Sequence, residues 1–279
     1  SALIAALVGF GGTVALVVQA LRTLGASVEQ TGSAVTALCL GIAIPGALLS
    51  YKTRMPIVLA WSTPGAALLA ATAPGLSWPV AIGVFIAAGF LTLVLALVPL
   101  LGRLTERIPG SIAAAMLAGV LLPFCLQLFH LASVDPLLVT VVLVVFLVAR
   151  QRAPLYALLL VLVADVALTF ARGQLTALPS GPTFGSLSAV VPQFEVRAIL
   201  SIGVPLFLVT LVSQNLSGLV VLRSAGYQPK TGPLLAGCGI ASLAAAPFGG
   251  FAVNLAAITA AICTNPEAHP DPKRRWVVG

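Results

Sequence analysis

From Met55 to Gly102 the chain carries no charged residue. Lipid cannot satisfy exposed backbone N–H and C=O groups, so an uncharged apolar run of this length must fold as membrane-spanning helix or close into a barrel. Barrel strands alternate apolar and polar residues, and these runs do not. The rest of the chain agrees. Of its 279 residues, 59% are hydrophobic and only 8% charged, against roughly 25% charged in soluble domains, and the mean hydropathy is +1.12. The expected fold is an all-α polytopic membrane protein.

Division at charges and at Pro or Gly punctuation gives about ten segments, at 2–23, 29–50, 55–74, 79–102, 110–130, 136–149, 153–171, 197–222, 231–247 and 250–264. Placing the N-terminus in the cytoplasm and alternating sides puts Lys52, Arg54, Arg103, Arg107, Arg150, Arg152, Arg223, Lys230, Lys273, Arg274 and Arg275 on the inner side. Only Arg22, Arg172 and Arg197 of the 14 basic residues fall outside. Such asymmetry is how inner-membrane proteins set their orientation. The net charge of +7 is therefore a topology signal; it forms no patch or stripe for nucleic acid.

Two segments break the helical pattern. Met55 to Trp61 is rich in strand formers, and Ser62-Thr63-Pro64 reads as a helix start, with Thr63 as N-cap and Pro64 at N1. A helix from there to Pro74 has about eleven residues, roughly 16 Å, and crosses half a bilayer. GGFAVN in the tenth segment repeats the idea, with Asn254 expected to cap LAAITAAIC. The two broken segments are third and tenth, seven apart, which predicts inverted repeats of seven within a single transporter unit: residues 1–171 the first, 195–279 the start of the second. By that count the chain is expected to be truncated at both ends.

RMPIVLAWSTPGAALL, RLTERIPGSIAAAMLAGVLLPF, SQNLSGLVVLRSAGYQP and FGGFAVNLAAITAAICTNPEAHPDPKRR together resemble the BenE family of bacterial benzoate/proton symporters. The resemblance implies a nucleobase-transporter-like fold of fourteen segments in two inverted sevens, with a core domain and a gate domain interleaved in sequence. It also implies proton-coupled uptake of benzoate or a similar aromatic carboxylate through the bacterial inner membrane. Its partners would be that substrate, protons and the bilayer, with a homodimer as the candidate assembly. No ATP site or other cofactor is expected. The nucleobase transporters similar to it use acidic residues in the eighth and tenth segments, where this chain has amides and hydroxyls. The same architecture would serve another small anion or a nucleobase, and a passive channel is the more distant alternative.

A carboxylate can be received by the unpaired N–H groups and partial positive charge of a half-helix N-terminus. Ser62, Thr63 and Gly65 on one side, and Asn254 and Leu255 on the other, are the candidate receptor; the alternative is that Thr63 and Asn254 only cap. In the eighth segment Thr210, Gln214 and Ser217, spaced i, i+4, i+7, share a helical face with Ser213 beside them. They read as a side wall of the same site, or as interhelical hydrogen-bonding groups. Asp165 is the acid well inside a span and so the candidate for proton coupling, unless it serves a structural pairing. Trp61 can stack on an aromatic substrate or simply pack. GFGGTVAL reads as close helix packing. Cys39, Cys125, Cys238 and Cys263, and the isolated His130 and His269, lack metal-ligand spacing, and no nucleophile and base are grouped as an enzyme would need.

Overall fold

The computed structural model describes residues 9–11, 13–72, 75–98, 122, 125–126, 128–153, 156–173, 185–265 and 268–279. Among the described residues, four helices are long and apolar enough to cross a membrane: Val28–Thr53, Trp78–Leu97, Val196–Ser224 and Thr231–Phe248. In chain order the main elements are α1 (Val14–Thr23), α2 (Val28–Thr53), β1 (Leu59–Trp61), α3 (Thr63–Ala70), α4 (Trp78–Leu97), α5 (Pro136–Arg152) and α6 (Ala157–Ala171). They are followed by α7 (Val196–Ser224), then α8 (Thr231–Ala245), β2 (Val253–Leu255) and α9 (Ile258–Thr264). Most of the expected fifth segment, 110–130, lies outside the described residues.

Local chemistry sets the ends of these elements. A reciprocal capping box opens α2: Ser27 Oγ accepts from Gln30 N–H at 3.1 Å, and Ser27 N–H donates to Gln30 Oε1 at 2.9 Å. Asp135 caps α5 by accepting from Leu138 N–H at 3.0 Å. α4 and α8 pack against each other, and small residues let them approach. A Cβ on Gly239 would lie 2.9 Å from the Leu93 backbone, and one on Gly89 would lie 3.2 Å from Ser242. An extended stretch, 185–195, lies across the ends of α2, α4 and α8, held by Val190 N–H to Pro247 O (2.8 Å), Gln193 N–H to Pro79 O (2.9 Å) and Ser188 N–H to Ser33 Oγ (2.9 Å).

The third and tenth segments both break, as expected, into a short strand and a short helix. β1 and β2 pair antiparallel, with Leu59 opposite Leu255, Ala60 opposite Asn254 and Trp61 opposite Val253. α3 is eight residues long rather than eleven, about 12 Å, and α9 is seven. Each starts from a different end of the ribbon.

A ribbon of two strands is not stable alone, and in an apolar interior its outer edges would leave backbone groups unsatisfied. Side chains from three neighbouring helices complete it. On the β1 side, Ser50 Oγ accepts from Ile57 N–H (3.0 Å) and donates to Ile57 O (2.9 Å). On the β2 side, Ser242 Oγ accepts from Val253 N–H at 2.9 Å, and Asn215 Oδ1 accepts from Leu255 N–H at 3.0 Å. Ser50, Ser242 and Asn215 are all buried.

Candidate functional site

The two caps differ from the sequence expectation. Ser62, not Thr63, is the N-cap of α3. Its backbone is extended, at φ −79° and ψ 105°, and its Oγ accepts from Gly65 N–H at 2.9 Å. Thr63 already has helical geometry and stands half-buried at the first position. Pro64 has no N–H and the Gly65 N–H is taken by Ser62 Oγ, which leaves the Thr63 amide as the open donor at this helix start among the described residues. Gly65 is needed for space: a Cβ there would sit 2.9 Å from Leu206 Cδ1 of α7 and 2.9 Å from Ser62 Oγ.

Asn254 does not cap α9. It lies inside β2, and α9 begins at Ile258 with Ala257 as its N-cap and no side-chain capping bond. The amide is used elsewhere: Asn254 Oδ1 accepts from Asn215 Nδ2 at 2.9 Å. Asn215 and Asn254 are 0% and 2% exposed, so this side-chain pair is sealed inside the protein. Leu255 is equally buried and its N–H is committed to Asn215, so its contribution to the site passes through that amide.

The eighth segment reaches the ribbon in an unexpected geometry. α7 widens into π-helix at Ile199–Gly203 and again at Leu211–Leu216, the second stretch containing Ser213, Gln214 and Asn215. Wide turns of this kind are rare and concentrate at functional sites. The spacing i, i+4, i+7 assumes 3.6 residues per turn, and the wider turn changes which side chain faces inward. Asn215 meets the ribbon. Thr210 is buried and donates to Phe207 O at 3.0 Å, Ser217 donates back to Val212 O at 3.4 Å, and Gln214 is half-buried. On either side of the polar run, Leu206 touches α3 at Gly65, and Gly218 admits β2. A Cβ at position 218 would lie 2.7 Å from Leu255 Cβ and 3.0 Å from Ala256 O.

Three buried side-chain polar atoms lack a partner among the described residues: Trp78 Nε1, Asn254 Nδ2 and Thr259 Oγ1. Two of the three belong to the tenth segment. Buried donors are normally satisfied, so an unpartnered amide nitrogen beside a broken helix marks a place where a hydrogen-bond acceptor is favoured. At the far end of β1, Trp61 donates from Nε1 to Thr13 Oγ1 at 2.8 Å, and its ring lies 5.5 Å from that of Phe10 with the planes tilted by 59°. The ribbon thus carries an amide donor on one strand and an aromatic pair at its edge.

The model of the BenE family, benzoate membrane transport protein, matches residues 1–279. The chain belongs to the BenE family. It is 39% identical over 279 residues to the inner membrane protein YdcO of Escherichia coli (strain K12), covering 98% of this chain and 70% of that protein. It is 33% identical over 276 residues to the benzoate membrane transport protein of Acinetobacter baylyi (strain ATCC 33305 / BD413 / ADP1), covering 99% of this chain and 70% of that one. No solved structure matches the chain. BenE membership makes this a membrane transport protein rather than an enzyme.

In this BenE chain Asp165 lies on a different element from the ribbon and its supporting side chains. It is half-buried on α6, which packs against α5, and its backbone oxygen accepts from Thr169 Oγ1 at 2.8 Å. Asn215, Ser242, Ser50, Phe10 and Thr13 also meet or support the ribbon, beyond the candidates that sequence alone selects. Asn215 stood in the same polar run but fell off the face that α-helical spacing selects. Single serines in apolar spans, such as Ser50 and Ser242, gave no signal beyond their polarity.

Proposed function

We propose that this BenE protein is a secondary transporter of the bacterial inner membrane, taking up benzoate or a similar aromatic carboxylate with a proton. Its N-terminus would lie in the cytoplasm. The architecture would be two inverted repeats of seven, with residues 1–171 as the first and 195–279 as the start of the second, and core and gate domains that move relative to one another. The observation that carries the reading is the buried, unpartnered Asn254 Nδ2 at the crossing of two strand-plus-half-helix breaks. A carboxylate placed there accepts from that amide and from the Thr63 N–H and hydroxyl at the start of α3. No Lys or Arg is required, because fixed N–H dipoles stabilise an anion in a low-dielectric site. The substrate's ring would lie toward the Phe10–Trp61 pair, with Gln214 and Ser217 along the side. The name of the Acinetobacter relative supports the substrate class.

The experiment is reconstitution of the full-length protein into proteoliposomes, with benzoate uptake and lumenal pH followed together. Benzoate-driven proton entry is expected, with uptake inhibited by unlabelled benzoate and not by uracil or sulfate. Benzoate flux that never exceeds its imposed gradient would instead identify a passive channel. Asp165→Asn is expected to retain substrate binding and lose proton-dependent accumulation; unchanged accumulation would remove Asp165 from the coupling role.

A further inference from the structure

The direction in which the Asn254 amide points is set by the backbone. Leu255 N–H can only donate, and it meets Asn215 Oδ1 at 3.0 Å. With its oxygen used there, Asn215 presents Nδ2 to its other neighbour, Asn254 Oδ1, at 2.9 Å. Asn254 is left with Nδ2 as the group not used by Asn215, and that nitrogen is buried without a partner among the described residues. Turning over the Asn215 amide would bring two donors together at Leu255; turning over Asn254 alone would bring two donors together between the asparagines. Leu255, Asn215 and Asn254 are all buried, so water cannot relieve either mismatch. Polarity therefore passes along the chain Leu255 N–H, Asn215, Asn254.

We infer that Asn215 is a positioning residue that holds Asn254 as a donor, so that the site selects a ligand end that only accepts hydrogen bonds, the carboxylate ion, over an isosteric carboxamide. The inference rests on the carboxylate-transport reading above. A carboxamide can offer its carbonyl to Asn254 Nδ2, but its NH₂ then faces the Thr63 N–H, another donor, and is left with the Thr63 hydroxyl to accept from it, whereas a carboxylate accepts from all of these groups.

Substitutions can reverse the polarity with little change of shape. In Asn215→Asp one carboxylate oxygen still accepts from Leu255 N–H and the other faces residue 254. Asn254 must then turn its Nδ2 inward and leave Oδ1 outward, although residue 254 itself is unchanged. Asn254→Asp keeps the contact with Asn215 Nδ2 and puts an acceptor where the outward donor was. The test is equilibrium binding of benzoate and of benzamide to the detergent-purified full-length protein and both variants. Wild type is expected to prefer benzoate. Both variants should bind benzoate at least about tenfold more weakly, the scale of one lost charge-assisted hydrogen bond, and bind benzamide more tightly than wild type does. Simple charge repulsion would weaken benzoate and leave benzamide unmoved, and general damage would weaken both in parallel; either pattern overturns the inference. If Asn215→Asp does not fold, Asn254→Asp decides alone, since its inter-amide bond is retained. A wild-type protein that binds benzoate, with variants of unchanged ranking, removes this inference and leaves the transport reading standing. A wild type that binds no benzoate overturns both.

Discussion

Ser242→Ala removes one oxygen from the wall of the ribbon, and its effect follows from the hydrogen-bond pattern. The Ser242 hydroxyl accepts from Val253 N–H at 2.9 Å and donates to Cys238 O at 2.8 Å, one turn back in α8. Cys238 O keeps its place in the helical ladder without that donation, since α8 runs unbroken through both residues, and Val253 O, 3.2 Å from the hydroxyl, is the alternative acceptor of its one proton. The accepted bond is not dispensable, because Val253 is 0% exposed and its N–H has no route to water. Leaving one buried amide unsatisfied costs about 1–3 kcal/mol, whereas the lost volume is a single atom. Hydrogen exchange at the Val253 amide reads that cost directly, and 1–3 kcal/mol corresponds to a rise of roughly 5- to 150-fold in exchange rate. Ser224→Ala, on the exposed end of α7, serves as the control and should change nothing at residue 253. Exchange at Val253 within about threefold of wild type in Ser242→Ala would mean that β2 is not held by this hydroxyl, and the account of how the ribbon survives in an apolar interior would fail.

Gly218→Ala should separate α7 from β2, because the new methyl meets Leu255 Cβ and a backbone oxygen that cannot yield. A loss of about 1–3 kcal/mol is expected in detergent unfolding, with benzoate binding falling alongside as Asn215 is drawn from Asn254. Gly32→Ala, where a Cβ meets nothing within 4 Å, should show no such loss. Asn254→Leu keeps a side chain of similar size but no donor, and is expected to abolish benzoate uptake while surface biotinylation and membrane yield stay at wild-type levels. Outside the spans, Arg172 and the Leu138 N–H hold the Asp135 carboxyl below its usual range. Its ionised form is then favoured by folding, so the contribution is complete above the unfolded value of about 4 and fades as pH falls through the lower folded value. Melting temperatures of wild type and Asp135→Asn should differ at pH 6 and converge toward pH 2; a difference constant with pH would assign no role to the ionised carboxyl.

The positions of the breaks in the third and tenth segments were readable because proline, glycine and strand formers interrupt otherwise uniform apolar helices. The assignments that went astray depend on what lies across from a residue. Thr63 and Ser62 are both good caps by type, and only the chain direction at Ser62 decides which hydroxyl reaches the Gly65 amide. Asn254 is a cap only if the helix after it starts at once, whereas strand pairing with β1 holds residues 253–255 extended. Asn215 was hidden by helical period: the bulge at Leu211–Leu216 changes the side-chain phase, and nothing in LVSQNL announces it.

The antiparallel pairing of β1 and β2 also bears on motion. Besides the register pairs, Ser62 N–H bonds Ala252 O and Ala256 N–H bonds Val58 O. Backbone hydrogen bonds in an apolar medium are each worth about 4–6 kcal/mol against no partner at all. Parting the strands without replacements would thus cost more than the whole stability of an ordinary domain. The two short helices share one backbone joint and are expected to travel as one body. On the transport reading proposed above, a substrate held between them would gain access to either side of the membrane only as other helices slide past that body.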